Sequence, residues 1–285
     1  MLFFHVGLQK TGTTFLQQAV FPLWRGLNYI PNDGLERLLR IDPERDYLLS
    51  REGLSGQNWA SAAKRDASLK RLAELFPQAR ILISFRRHSG YLSSSYNHYL
   101  QHGGTLTPER YFDLAGDTGF MKREDFRFQR KIETLEACFG RPPFVFFLEE
   151  LGSGLEGLLQ DMRTFLPGEP PPVAAIRNRR VNRSVGYYPA KVLRWLNRHT
   201  RSELNPEGRH VLNHWRLRRW GLDPRTICQD WLAFLPSPPI LDEGLLRAID
   251  DYYAQDWAYV QAYARRRNSI ADTTVDDRER RTATA

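Results

Sequence analysis

The feature that most constrains this chain is an eight-residue loop near its start, Gly7-Leu8-Gln9-Lys10-Thr11-Gly12-Thr13-Thr14. It follows a short apolar run, Leu2–Val6, and precedes FLQQAVFPLW, whose apolar residues recur at helical spacing. A chain that runs from strand through a glycine-containing turn into a helix aims backbone N–H groups and the positive end of a helix dipole at one point. Such a point binds anions. Gly7 and Gly12 keep the spacing of the nucleoside-triphosphate loop G-x-x-x-x-G-K-[ST], but Thr13 stands where that loop has its lysine. A lysine occurs instead two residues before the second glycine, as Lys10. The loop can cradle a phosphate, yet it lacks the side chain that reaches a β- or γ-phosphate. The apolar run Phe144–Leu148 is followed by Glu149-Glu150 rather than by a strand-terminal aspartate. An ordinary ATPase or GTPase is therefore disfavoured.

The rest of the first half repeats the alternation. Asp46–Leu49, Ala79–Phe85 and Phe144–Leu148 read as further strands, and Ser68–Phe76 and Leu92–Leu100 as helices. Near-continuous apolar strands separated by helices predict βαβ units and a parallel sheet buried on both faces. The Pro-rich turn GEPPPV at 168–173 ends this pattern. Beyond it the spacing is helical over Tyr188–Arg198, Val211–Trp220 and Leu245–Ala264. The expectation is an α/β fold in one domain over 1–267. Its α/β core spans about 1–167 and a helical C-terminal part about 185–265. A polar tail over 268–285 is expected to be disordered.

Composition narrows the partners. Hydrophobic residues make up 41% and charged residues 26%, which excludes collagen-like, wholly disordered and membrane-bundle chains. No stretch approaches the ~18 apolar residues of a membrane helix, and MLFFHVGLQK lacks a basic targeting region. Two cysteines cannot build a disulfide framework. These point to a soluble, cytoplasmic protein. The charge is uneven: 177–225 carries 13 Lys/Arg against 3 Asp/Glu, so the rest of the chain is slightly acidic. A basic field of that size suits an anionic ligand or a solvated arginine-rich helix face. The tryptophans within it, Trp195, Trp215 and Trp220, sit at helical spacing, which favours core packing over base stacking.

HVGLQKTGTT resembles the 5′-phosphosulfate loop of the sulfotransferases that use 3′-phosphoadenosine 5′-phosphosulfate (PAPS), in which Gly-x-x-Lys-[Ser/Thr]-Gly-Thr-Thr follows the first strand. The resemblance implies a P-loop-type three-layer sandwich around a mostly parallel sheet. It also implies a second motif, an arginine leaving a strand and a serine eight residues later, both on the 3′-phosphate. Arg86, at the end of ILISF, and Ser94 fit that spacing, with Arg87 one position away as the alternative register. A guanidinium fork plus a hydroxyl is a sound phosphate grip on its own terms. Asn182 and Ser184 resemble the Asn-x-Ser segment near the nucleotide in bacterial members, whereas the Arg-Lys-Gly element of the cytosolic members is not recognisable. The similarity covers about residues 1–185.

On this resemblance the cofactor-binding residues are Lys10, Thr11, Gly12, Thr13, Thr14, Arg86, Ser94, Asn182 and Ser184. The backbone amides of Thr11–Thr14 and the Thr13 and Thr14 hydroxyls would hold the 5′-phosphate, and Lys10 would serve the transferring group. Glu52, just past the YLLS run, resembles the glutamate base of the glycan-modifying branch, and His88 is the alternative base. The bland reading of Glu52 is an exposed loop acid paired with Arg51. His5, on the first strand, reads as a buried core histidine. No metal is expected, because the chemistry requires none and no ligand cluster is apparent. The implied enzyme is a PAPS-dependent sulfotransferase with a hydroxylated acceptor, a carbohydrate or glycolipid, acidic glycans included. The competing readings are a P-loop nucleotide kinase or NTPase and a non-catalytic binder of anionic ligands. Nucleic acid is not an expected partner.

Overall fold

Leu2–His5 (β1), Asn28–Ile30 (β2), Tyr47–Ser50 (β3), Arg80–Phe85 (β4) and Phe144–Phe147 (β5) pair as one sheet in the order β2-β3-β1-β4-β5. Every pairing is parallel: His5 stands opposite Ser50 and Leu82, and Phe85 opposite Phe147. The α/β class and parallel sheet read from the sequence are therefore present. The computed structural model describes residues 1–32, 34–56, 59–177, 185–209, 219–232, 234–236 and 238–266. The chain divides into two compact units, one of Met1–Arg86, Arg127–Val181 and Ala254–Ala285, the other of Arg87–Phe126 and Asn182–Tyr253.

The first unit holds the sheet. Successive side chains of a strand point to opposite faces, so each strand anchors two layers. Phe3 of β1 meets Phe165 edge-on at 5.7 Å, at the end of the helix Leu155–Phe165, while Phe4 meets Phe76 at 5.3 Å, beyond the helix Ala62–Leu75. Phe85 of β4 packs on Phe128, the first residue of the helix Phe128–Phe139, and Phe147 of β5 packs on Trp257 in Ala254–Ala264. The helices are α1 (Ala62–Leu75), α3 (Phe128–Phe139), α4 (Leu155–Phe165) and α7 (Ala254–Ala264). The sheet is thus the middle of three layers, and all six residues of β4 are buried. Arg80, the first of them, lies over the Phe165 ring at 4.9 Å, a cation–π contact.

The second unit is helical. It is built on α2 (His88–Gln101), α5 (Tyr187–Asn197) and α6 (Glu243–Tyr252). Tyr96, Tyr99 and Tyr111 form a cluster of rings 5.0–6.3 Å apart. Buried asparagines tie its segments: Asn197 donates to the carbonyls of Leu100 and Gly104 at 2.7 and 2.8 Å, and Asn97 donates to that of Val185 at 2.6 Å. Asp250 accepts from the Ser89 backbone N–H and hydroxyl at 3.1 and 2.9 Å, a negative charge at the N-terminal turn of α2.

Three elements differ from the sequence pattern. FLQQAVFPLW is one helical turn, Thr13–Phe15, then a π-type turn, Leu16–Val20, and a 3₁₀ turn, Phe21–Leu23, in which Pro22 removes a backbone donor. The helical spacing over Leu245–Ala264 is two helices, α6 and α7, parted at Tyr253. Trp195 and Trp220 are exposed rather than core, because α5 buries the stripe Pro189, Ala190, Leu193 and Asn197 and leaves Trp195 outside it. Most of the expected Val211–Trp220 helix lies outside the described residues.

Candidate functional site at the carboxyl ends of the strands

The chain leaves β1 toward β2 on one side of the sheet and leaves β4 toward β5 on the other, so the strand order reverses between β1 and β4. Open α/β sheets form their ligand crevice beyond the strand carboxyl ends at such a point. The Gly7–Thr14 loop occupies it. Val6 N–H bonds to the Leu82 carbonyl at 2.9 Å, which keeps β1 zipped to β4 up to the loop. The Thr11 hydroxyl turns inward, donating to the Leu8 carbonyl and meeting the Ser84 hydroxyl at 2.6 Å. Its contribution to a ligand can only be its backbone. Gly12 opens the helical turn at φ 88°, and a Cβ there would strike Leu148 and Leu151 beyond β5. Glycine is required at that position on both counts. Lys10 also has a positive φ, 70°, an uncommon conformation for a residue with a side chain.

β3 delivers the carboxylate. At its end the Ser50 hydroxyl meets His5 Nδ1 at 2.7 Å, and the Arg51 N–H bonds to the His5 carbonyl at 3.1 Å. Gln17, on the first helical segment, donates to the Ser50 carbonyl at 2.9 Å and to its hydroxyl at 3.2 Å. The chain then enters the 3₁₀ turn Glu52–Ser55. The Glu52 carboxyl hydrogen-bonds the Thr13 side chain and lies in the field of Lys10. Burial pushes it above the usual carboxylate range, while Lys10 and Thr13 pull it down. The bland reading, a loop acid paired with Arg51, is not what the structure holds: Glu52 is joined to the phosphate-type loop. The Thr13 hydroxyl is buried and also donates to the Leu8 carbonyl at 3.5 Å.

β4 and β5 supply the far side of the crevice within the same unit. Arg86 leaves β4 half-buried. Burial lowers its guanidinium, and the Glu149 carboxylate just past β5 acts in the opposite sense. Glu150 instead caps the Phe147 N–H at 2.7 Å. Sequence reasoning noted this acidic pair only as a missing aspartate; its charge beside Arg86 has no local sequence signal.

The remaining candidates belong to the second unit. Arg87 is bridged to Asp250 at 2.9 Å, inside the second unit. Ser94 is half-buried on α2 of that unit. His88 is 2% exposed there and stacked on Tyr253 at 4.5 Å with rings 4° from parallel. Asn182 and Ser184 lie outside the described residues. Among the described residues no group of three or more His, Cys, Asp or Glu could hold a metal ion, and no helix is long and apolar enough to cross a membrane.

No family model and no curated protein sequence matches the chain. Among solved structures, it is similar to the crystal structure of a sulfotransferase from Alicyclobacillus acidocaldarius. The identity is 17% and the TM-score 0.45, over 59% of this chain and 81% of that one.

Proposed function

We propose that the protein is a PAPS-dependent sulfotransferase that sulfates a hydroxylated acceptor, a carbohydrate or glycolipid. The observation that carries this reading is the meeting of Glu52 with Lys10 and Thr13, which lie 42 and 39 positions before it in the chain. Sulfuryl transfer is an in-line displacement that needs a base for the attacking hydroxyl and a cation for the oxygen that leaves. One carboxylate and one ammonium beside an anion-binding loop are that minimum.

In this mechanism Glu52 takes the proton of the acceptor hydroxyl, whose oxygen forms the new bond to sulfur. The bond from sulfur to the 5′-phosphate oxygen breaks, and its electron pair stays on 3′,5′-ADP. Lys10 opposes the charge that grows on that oxygen, and the amides of the loop hold the phosphate. A carboxyl raised by burial is a better proton acceptor at neutral pH than an ordinary one. Arg86 holds the 3′-phosphate, with Glu149 keeping the guanidinium charge balanced when the site is empty. Ser94 keeps its sequence-derived place in that grip.

The test is nucleotide choice. In a thermal or urea unfolding series, 3′,5′-ADP at ~100 times its Kd stabilises by about 2.7 kcal/mol, and ATP with magnesium does not. Stabilisation by ATP with magnesium alone returns the chain to the nucleotide-kinase class.

A further inference from the structure

The outer face of α5, in the second unit, is apolar where a solvated helix would be polar. Tyr188, Val192 and Trp195 are all exposed. At about 100° per residue they fall within about 60° of one another, opposite the buried stripe Pro189, Ala190, Leu193 and Asn197. His199, just past the helix, meets Trp195 edge-on at 5.2 Å. The turns Pro224–Thr226 and Ile227–Trp231 pack on α5, and Trp220 and Phe234, on either side of them in the chain, are 77% and 79% exposed. Apolar side chains scattered singly over a surface need no explanation, but a helical stripe of them does.

The stripe is bordered by cations. Lys191 and Arg198 are exposed along one side of it, and Arg194 lies half-buried beyond them. The Lys191 ammonium rests over the Tyr187 ring at 4.2 Å, and Arg194 bonds the Tyr96 hydroxyl. Glu109, Asp242 and Glu243 line a pocket together with Lys191 and Arg194, yet none of them forms an ion pair with either among the described residues. The segment itself carries no acid: residues 177–202 hold eight Lys/Arg and no Asp/Glu.

We infer that this face docks on an anionic lipid bilayer, with the Tyr188 and Trp195 rings in the headgroup layer and Lys191 and Arg198 reaching the lipid phosphates. Tyrosine and tryptophan suit that depth because each has an apolar body and a polar edge. Lysine and arginine beside them extend their charges to the phosphates while their stems cover apolar surface. A second copy of the chain fits less well, since two copies joined by this face would set the basic segment against itself. A single-stranded nucleic acid also fits less well. The stripe is convex rather than a groove, and Val192 offers no ring face between the two aromatics. The inference does not depend on the sulfuryl-transfer reading.

The experiment floats the full chain with vesicles of phosphatidylcholine alone and of phosphatidylcholine mixed with phosphatidylglycerol. Binding is expected only to the mixed vesicles, and it is expected to fall as salt is added. Bromine placed on the acyl chains is expected to quench part of the tryptophan emission. Lys191→Gln with Arg198→Gln is expected to weaken binding about 25-fold, at about fivefold per basic residue near the surface. Tyr188→Ser with Trp195→Ser is expected to weaken it at least tenfold and to reduce the quenching. All four positions are exposed, and an unchanged unfolding temperature shows that each variant is folded. The wild-type comparison of the two vesicles tests the inference without them. No flotation, equal flotation with both vesicles, or unchanged binding in either folded variant overturns it. So does a single-stranded oligonucleotide that binds through these residues and displaces the vesicles, or a lipid-free dimer that Trp195→Ser dissociates.

Discussion

Acid should loosen this protein through His5. The ring is wholly buried between β3 and the loop: Nδ1 meets Ser50, Nε2 has no hydrogen-bond partner among the described residues, and a Cβ on Gly7 would come within 2.8 Å of Nε2. Burial pushes the imidazole down to about 3. The unfolded chain titrates near the ordinary 6.5. Between those values the unfolded state therefore holds one proton more than the folded state, and stability falls as pH falls, by about 1.4 kcal/mol per unit. Above pH 6.5 the contribution is constant. From pH 8 to pH 5 the loss due to this one group is about 2 kcal/mol. His5→Gln keeps a polar group toward Ser50 and cannot titrate. Urea unfolding of both proteins at pH 8 and pH 5 gives two differences, and the other titrating groups cancel between them. The wild type is expected to lose about 2 kcal/mol more than the variant over this interval. Equal losses would mean that the folded His5 takes up its proton as readily as the unfolded one, and the burial argument would fail.

Glu52→Gln is expected to lower turnover by about 10²–10⁴ with the 3′,5′-ADP shift retained, and Lys10→Ala by about 10²–10³ with a smaller loss of nucleotide affinity, both read in steady-state kinetics with labelled PAPS. Near-normal turnover of the glutamine variant removes Glu52 from the chemistry. Arg86→Ala is expected to erase a preference of at least tenfold for 3′,5′-ADP over 5′-AMP, as is Ser94→Ala more weakly, whereas Arg87→Ala only breaks the bridge to Asp250; calorimetric titration with the two nucleotides separates them. Lys131 is buried with its Nζ unbonded among the described residues, and burial, Arg65 and Arg130 push it down to about 7 against the pull of Asp66. Its cost is full below pH 7 and fades toward the unfolded value of 10.5, so Lys131→Met is expected to stabilise more at pH 6.5 than at pH 10, and an equal gain at both refutes this.

Sequence reading captured what is local. Four strands were legible because their apolar runs are unbroken, and the loop was legible because glycines and threonines stand at fixed offsets. β2 was not, since Asn28-Tyr29-Ile30 is too short to show a period, and its strand character comes from pairing with β3. Nor was the partner of Glu52. Arg51 is its neighbour in sequence, but the register of β1 on β3 sets His5 opposite Ser50 and so brings the turn after β3 to the loop after β1. Such a meeting depends on two chain segments far apart, and no spacing rule reports it. The break at Tyr253 was hidden for a related reason: the apolar spacing continues through it, while the two helices it parts belong to different units.

The chain's far end completes the unit that its beginning starts. Asp256, in the first turn of α7, accepts from the backbone N–H groups of Phe128 and Gln129 at 3.0 Å each, and so caps α3. Tyr263 donates to Glu136 on the same helix at 2.7 Å. The layer that α1, α3 and α7 form on one face of the sheet is complete only once residues 254–264 have been made. Until then the β5 side of that layer, where Phe147 meets Trp257, is uncovered, and exposed apolar surface invites aggregation. A chain stopped at Tyr253 would carry every described residue of the proposed site and still leave α3 uncapped.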